Sequence, residues 1–207
     1  MPNLEALTAA TSGYTAEELL RYLIEDRFPG TTVVTASLRA PSVVVLKMVA
    51  DVDPTTPVVF CRRGTLFPES TAYHDTIVGL LGLTSVTVTA GHERVARRGD
   101  RDHCEQMRVE YQNCPGAGHE VAHLNDVLAP FECWVSAVYH AARPADSRVR
   151  VDAEGRLYRV NALAGWSDEQ IREFMQRHGL PHHARAYRGR MRMPPRRNAA
   201  PVETYNV

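Results

Sequence analysis

Two histidines and a glutamate stand at a spacing that could hold a metal: His119-Glu120-Val-Ala-His123. On a helix the two imidazoles lie one turn apart on one face, so His119 and His123 can chelate a divalent cation with Glu120 as a general base. Cys104, Cys114 or His140 could add a third ligand. The alternative is a pair of surface or phosphate-facing histidines. No HxxGxxH extension follows, and the helix carrying the motif would be short for a zinc protease. A second set of residues is cationic. Arg39, Arg62 and Arg63 each follow a short apolar run. The guanidinium fork matches phosphate and sulfate oxygens, so these arginines form a candidate anion site. The competing reading is a solvated basic loop. Cys61 lies beside Arg62, and a neighbouring cation lowers a thiol pKa. A small buried strand residue is the plainer reading of that cysteine.

The elements that must position these groups follow from periodicity and punctuation. Thr15-Ala-Glu-Glu18 is a capping box, followed by Leu19, Leu20, Leu23 and Ile24 at helical spacing and ended by Pro29-Gly30. Thr31–Ala36 is β-branched and reads as a buried strand. A helix is expected over Ser42–Val52, a strand at Pro57–Cys61, a helix over Pro68–Leu81 stopped by Gly82, and a strand at Thr84–Thr89. Further on, Arg94–Tyr111 reads as polar and helical near its end, His119–Leu128 as a short helix, and Phe131–Val138 as a strand. Arg148–Val151 and Leu157–Val160 form a hairpin pattern, and Ser167-Asp-Glu-Gln170 opens a last helix running to about His178. Strands alternating with helices of this length predict an α/β fold, a Rossmann-like, mostly parallel sheet with helices on both faces. Ligands of such sheets sit beyond the carboxyl ends of the strands, which points to Ser37–Ser42 and Arg62–Glu69.

Composition bounds the rest. The chain has 207 residues, 44% of them hydrophobic, enough for one sizeable core. Lys plus Arg and Asp plus Glu both total 24, so bulk charge points to neither nucleic acid nor a membrane. Lys47 is the single lysine, an arginine bias that a GC-rich coding sequence explains most simply. The longest apolar candidate for a membrane span, Val43–Val52, is broken by Lys47 and Asp51. No basic region followed by an apolar block opens the chain, so a cytoplasmic protein is expected. The four cysteines, none in a CxxC, are then reduced thiols. The expected organisation is one domain over residues 1–185 and a basic tail over 186–207, with six arginines and no acid between Pro181 and Glu203.

Four stretches together resemble the sulfonucleotide reductases, the phosphoadenylyl-sulfate and adenylyl-sulfate reductases of the adenine-nucleotide α-hydrolase-like fold. Leu19–Ala36 is similar to the family's first helix and strand. Pro57-Val-Val-Phe-Cys-Arg-Arg-Gly-Thr-Leu-Phe-Pro-Glu69 resembles its PVxFLDTGxLFPET segment. Glu132-Cys-Trp-Val-Ser-Ala-Val-Tyr-His140 resembles its xxWVTGLRR strand. Tyr158-Arg-Val-Asn-Ala-Leu-Ala-Gly-Trp166 resembles its KVNPLAxW segment, with His178-Gly-Leu-Pro181 continuing it. The resemblance implies an adenine-nucleotide site that includes Gly64, kept from the DTG turn, and Asn161.

The departures from the family pattern bear on chemistry. Its glycine-rich first loop reads Ser37-Leu-Arg-Ala-Pro-Ser42 here, and Pro41 has no N–H to offer a phosphate. Arg39 could replace those donors with a cation. Arg62-Arg63 replaces the Asp-Thr of the DTG turn, and Tyr139-His140 replaces the final Arg-Arg, which leaves His140, with Arg143 nearby, opposite the arginine cluster. Val121-Ala122 stands where the resemblance puts paired cluster cysteines, and no cysteine follows Cys133 in these 207 residues. Reducing a sulfonucleotide needs a thiolate to attack sulfur. The expectation is therefore a diverged, cluster-free protein binding an adenine nucleotide or a related phosphorylated or sulfated anion. Its candidate catalytic residues are His140 and Glu120. The alternatives are an inactive nucleotide-binding or scaffold subunit, with a protein partner or as a homodimer, and a metalloenzyme using His119 and His123.

Overall fold

The computed structural model describes residues 4–62, 68–90, 126–136, 149–151 and 157–184; for residues 61–62, 89–90 and 149–151 it describes the backbone alone. The chain opens with α1 (Leu4–Thr11), a helix the sequence patterns above do not announce. Thr15 then caps α2 (Ala16–Arg21) with the expected reciprocal box, its hydroxyl accepting from Glu18 N–H and the Glu18 carboxylate accepting from Thr15 N–H. The apolar spacing after Arg21 predicts a continuing α-helix, but the chain widens into a π-helical turn over Tyr22–Arg27, closed by Phe28 N–H to Leu23 O at 2.9 Å. The wider turn still buries Leu23 and Ile24.

Strand β1 (Thr32–Ala36) leads into α3 (Ala40–Val52), then β2 (Val58–Arg62), α4 (Pro68–Leu81) and β3 (Val86–Ala90). Helix α4 has the limits expected for it, and Gly82 ends it at φ +64, where a residue with a Cβ would be strained. Beyond a helical turn at residues 126–128 come β4 (Cys133–Ser136), β5 (Val149–Val151), β6 (Tyr158–Val160) and α5 (Asp168–Arg177), which Ser167 caps with the second expected box.

The six strands lie in the order β3-β2-β1-β4-β6-β5. Every pairing is parallel except β5 with β6, so the predicted hairpin forms, but its second strand is inserted beside β4. The fold is the expected α/β architecture with a mostly parallel sheet. Helices α2, α3, α4 and α5 share one core with Val34, Val58, Phe60, Val135 and Val160 of the sheet. The opposite face carries a second cluster of Val33, Val59, Trp134 and Leu157, covered by Leu128 of the short helical turn. Helix α3 explains the apolar run that looked most like a membrane span. Val43, Val44, Val45, Leu46, Met48 and Val49 are all buried, because α3 sits between the sheet and its neighbouring helices. Among the described residues no helix is long and apolar enough to cross a membrane.

Candidate functional site

The chain steps from β1 outward through α3, β2, α4 and β3, then returns to lay β4 on the other side of β1. The direction of winding therefore reverses between β1 and β4. At such a reversal the connections leave the carboxyl ends of adjacent strands in opposite directions and open a crevice, the usual ligand position in sheets of this kind. The register aligns Thr35 with Ser136 across that boundary, so both strands end at one level.

On the β1 side the junction with α3 is built from two serines. Ser37 N–H donates to Ser42 Oγ at 3.1 Å, and the two hydroxyls are 2.9 Å apart. Arg39 N–H in turn donates to Ser37 Oγ at 3.4 Å. Ser42 is buried, so its hydroxyl braces the turn from inside, while Ser37 is half-buried. The expected loop over Ser37–Ser42 is shorter than its sequence implied: α3 begins at Ala40, and Pro41 occupies the first helical turn. There its missing N–H costs the helix nothing, since that group has no intrahelical partner in any residue.

Arg39 is the N-cap of α3, exposed, with no side-chain cap bond, and no acid follows in the first turn. Ser, Thr, Asp and Asn are the residues that stabilise this position, and the positive end of a helix favours negative charge. A guanidinium here breaks both rules at the carboxyl edge of the sheet, beside the point where its winding reverses.

Strand β2 ends at Arg62, whose backbone pairs with Ala90, and so delivers that residue to the same carboxyl edge. Asn161 follows β6 directly, and its carbonyl accepts from Ala164 N–H at 3.2 Å in the turn that leaves the sheet. Ser37, Arg39, Arg62 and Asn161 therefore belong to one edge of the sheet. The remaining candidates, Arg63, Gly64, His119, Glu120, His123, His140 and Arg143, lie outside the described residues. Among the described residues no group of three or more metal-ligating side chains gathers.

Two features of this edge escaped the sequence reading. The first is a buried polar set on the face opposite α3. Trp134 Nε1–H donates to Thr35 Oγ1 at 2.7 Å, Arg159 lies over the Trp134 ring at 5.0 Å, and Ser136 is buried beside Thr35. The alternation Val33-Val-Thr35 against Trp134-Val-Ser136 carries the signal, because polar residues end an otherwise apolar face. The second is the seat of the segment after α5. Gly179 at φ +60 and the bond from Leu180 N–H to Met175 O close the helix, turning the chain onto α4. There Tyr73 Oη–H donates to Pro181 O at 2.7 Å, and His183 Nε2 is 2.9 Å from Ser70 Oγ. The His182-His183 pair reads from sequence as a metal tract or a solvated turn. His183 is instead packed edge-on against the Tyr73 ring at 4.9 Å. Burial pushes the Tyr73 phenol up to about 12.

Cys133 is fully buried on the α3 side of β4, and burial pushes its thiol up to about 12, outweighing a hydrogen bond with Thr32 that pulls it down. It is a packing residue, not a nucleophile.

Comparison with known proteins agrees with this architecture. The chain is 27% identical over 173 residues to the adenosine 5'-phosphosulfate reductase of Mesorhizobium japonicum, covering 79% of this chain and 64% of that protein. It is 24% identical over 183 residues to the phosphoadenosine 5'-phosphosulfate reductase of Alkalilimnicola ehrlichii, covering 87% of this chain and 74% of that one. The chain thus spans just under two thirds of the Mesorhizobium relative. The crystal structure of the phosphoadenylyl-sulfate reductase of Candida auris, a phosphate complex, superposes with a TM-score of 0.66 over 90% of each chain at 13% identity, a likeness of fold. Residues 31–189 match the family model of the phosphoadenosine phosphosulfate reductase domain, and with most of its length inside that match the chain belongs to this family.

Proposed function

We propose that this protein binds an adenine nucleotide or a related phosphorylated or sulfated anion in the crevice between β1 and β4. In this reading it acts as a cluster-free enzyme of sulfur or specialised metabolism. The observation that carries the proposal is Arg39 at the N-cap of α3, exposed, beside Ser37, with no acid in the first turn. A cation at the positive end of a helix is unfavourable by itself and becomes favourable when an anion is shared between them. The serine pair supports the same reading. It consumes the N–H groups of Ser37 and Arg39 internally, so a ligand oxyanion relies on guanidinium donors more than on a backbone cradle. Arg62, Arg63, Gly64, Arg143 and Asn161 would complete the contacts.

An iron–sulfur cluster does not fit the residues present at the position the family resemblance assigns to it. Val121 and Ala122 offer no ligand atoms, and no step is assigned to a cluster. The same replacement favours a second reading, an inactive nucleotide-binding subunit, which turnover assays separate from the first. In the first reading His140 and Glu120 are the acid–base groups; in a third, His119 and His123 hold a divalent metal, which metal analysis of the purified chain tests.

Titration of the 207-residue chain with adenylyl sulfate, phosphoadenylyl sulfate and ATP tests the binding reading. Losing a charge-assisted guanidinium bond should weaken the tightest of them by roughly ten- to a hundredfold in Arg39→Ala. No binding by the wild type, or an unchanged affinity in the variant, refutes it.

A further inference from the structure

The two edges of the sheet are finished differently. At one, α1 packs against β5. At the other, β3 runs beside β2 without a bulge, from Val58 with Val86 to Arg62 with Ala90, and among the described residues no strand lies beyond it. Native proteins blunt such an edge with a lysine, a proline, an inward charge or a bulge, because its outward N–H and C=O groups are a template for another strand. The run Thr84-Ser-Val-Thr-Val-Thr-Ala90 carries none of these, and its β-branched residues favour pairing. The hydrogen bond from Val58 N–H to Ser85 O, at 2.8 Å, fixes which residues face inward. Main-chain groups alternate along a strand, so Ser85, Thr87 and Thr89 point theirs at β2, while Val86, Val88 and Ala90 point theirs outward.

We propose that this edge pairs with a second copy of itself, β3 against β3, antiparallel about a two-fold axis at Val88. The outward set is symmetric about Val88. A half-rotation therefore sets Val88 against its own copy and Val86 against Ala90, and each pair exchanges both main-chain hydrogen bonds. Sliding the copy by two residues leaves Val86 or Ala90 beyond the end of its partner. Val88 stands in register with Phe60, a residue of the α3–α4 core, so Val86 and Val88 lie on that face. Val86 packs against that core, but Val88 is 37% exposed. The pairing covers it with the side chain that symmetry supplies, a second Val88, and the uncharged strand sets no like charges opposite each other. A strand of five residues falls short of the ~800 Å² per partner of a standard interface. The dimer is therefore weak, with a midpoint at roughly 10 µM to 1 mM, and independent of what the carboxyl edge binds.

Sedimentation of the 207-residue chain across that range should show its mass rising from monomer toward dimer. Hydrogen exchange at the Val86 and Val88 amides should slow as concentration rises. Val88→Lys and Val88→Glu each set like charges together at the axis, so each should raise the midpoint at least about tenfold. Val88 is exposed in the monomer, so both variants should melt close to wild type at low concentration. An equal mixture of the two should associate again, because a register centred on Val88 puts the cation of one chain opposite the anion of the other. A wild type that stays monomeric to about 1 mM overturns the inference. Amide protection that is the same at every concentration also overturns it, since the edge is then covered from within the chain. That readout needs the wild type alone and decides the matter even where a variant fails to fold. Association untouched by Val88→Lys puts the interface elsewhere, and two monomeric variants whose mixture stays monomeric overturn the two-fold register.

Discussion

The two faces of the sheet use alternate residues of the same strands to different ends. Toward α3, β1 and β4 present Val34, Ala36, Cys133 and Val135, all buried in the larger core. Toward the opposite side they present Val33, Thr35, Trp134 and Ser136, equally buried, but turning polar as the strands reach their carboxyl ends. Burial alone therefore does not distinguish the two faces. What separates them is whether the buried groups are satisfied. On β1 and β4 the first face presents only the Cys133 thiol and the Thr32 hydroxyl as polar side chains, the latter bonded to Phe28 O at 3.1 Å. The second has a tryptophan N–H tied to a threonine and a serine left over. Polar groups at the end of an apolar face carry a cost that packing does not require, and such departures concentrate at functional positions.

The α3 face should respond to substitution in stability first. Phe28, buried against Tyr158 with ring centroids 5.3 Å apart, should cost about 3–5 kcal/mol on replacement by alanine, read as a lower midpoint in urea. A loss below about 1 kcal/mol would remove Phe28 from the core that unfolds cooperatively.

The same face should fail at alkaline pH. The Cys133 thiol ionises near its ordinary 9 when unfolded but only at about 12 when folded. Its contribution is complete below pH 9 and is lost as pH rises toward 12, because only the unfolded chain can release the proton in that window. Stability should fall by about 1.4 kcal/mol per pH unit there. Tyr73, also raised to about 12, acts in the same direction. Cys133→Ala should shallow the slope between pH 9 and 11, and an unchanged slope would assign the alkaline loss to other groups.

The opposite face should give the smallest stability change and the clearest ligand effect. Trp134→Phe keeps most of the ring but deletes the donor to Thr35, at a cost of about 1–2 kcal/mol. Freed from Trp134, Thr35 can turn toward Ser136, so nucleotide affinity should change more than the melting temperature suggests. Equal losses of stability and no change in affinity would make this face structural, like the other.

Local physics was legible in the chain. Both capping boxes, the limits of α4 and its glycine stop, and the buried strand Thr32–Ala36 follow from hydrogen-bonding and conformational preferences of residues within a few positions of one another. The carboxyl edge was also legible as the place for Ser37, Arg39 and Arg62, because alternating strands and helices force a parallel sheet, and a parallel sheet has one carboxyl edge. Strand order was not. Nothing near Cys133–Ser136 states that this strand returns beside β1, or that Tyr158–Val160 slots between it and β5. The start of α3 at Ala40, with Pro41 inside it, depended on Ser42 reaching back to Ser37. The bonds from Trp134 to Thr35 and from Tyr73 to Pro181 join residues 99 and 108 positions apart. Such contacts are decided only when the whole core closes, because their free energy comes from burial that no short segment achieves by itself.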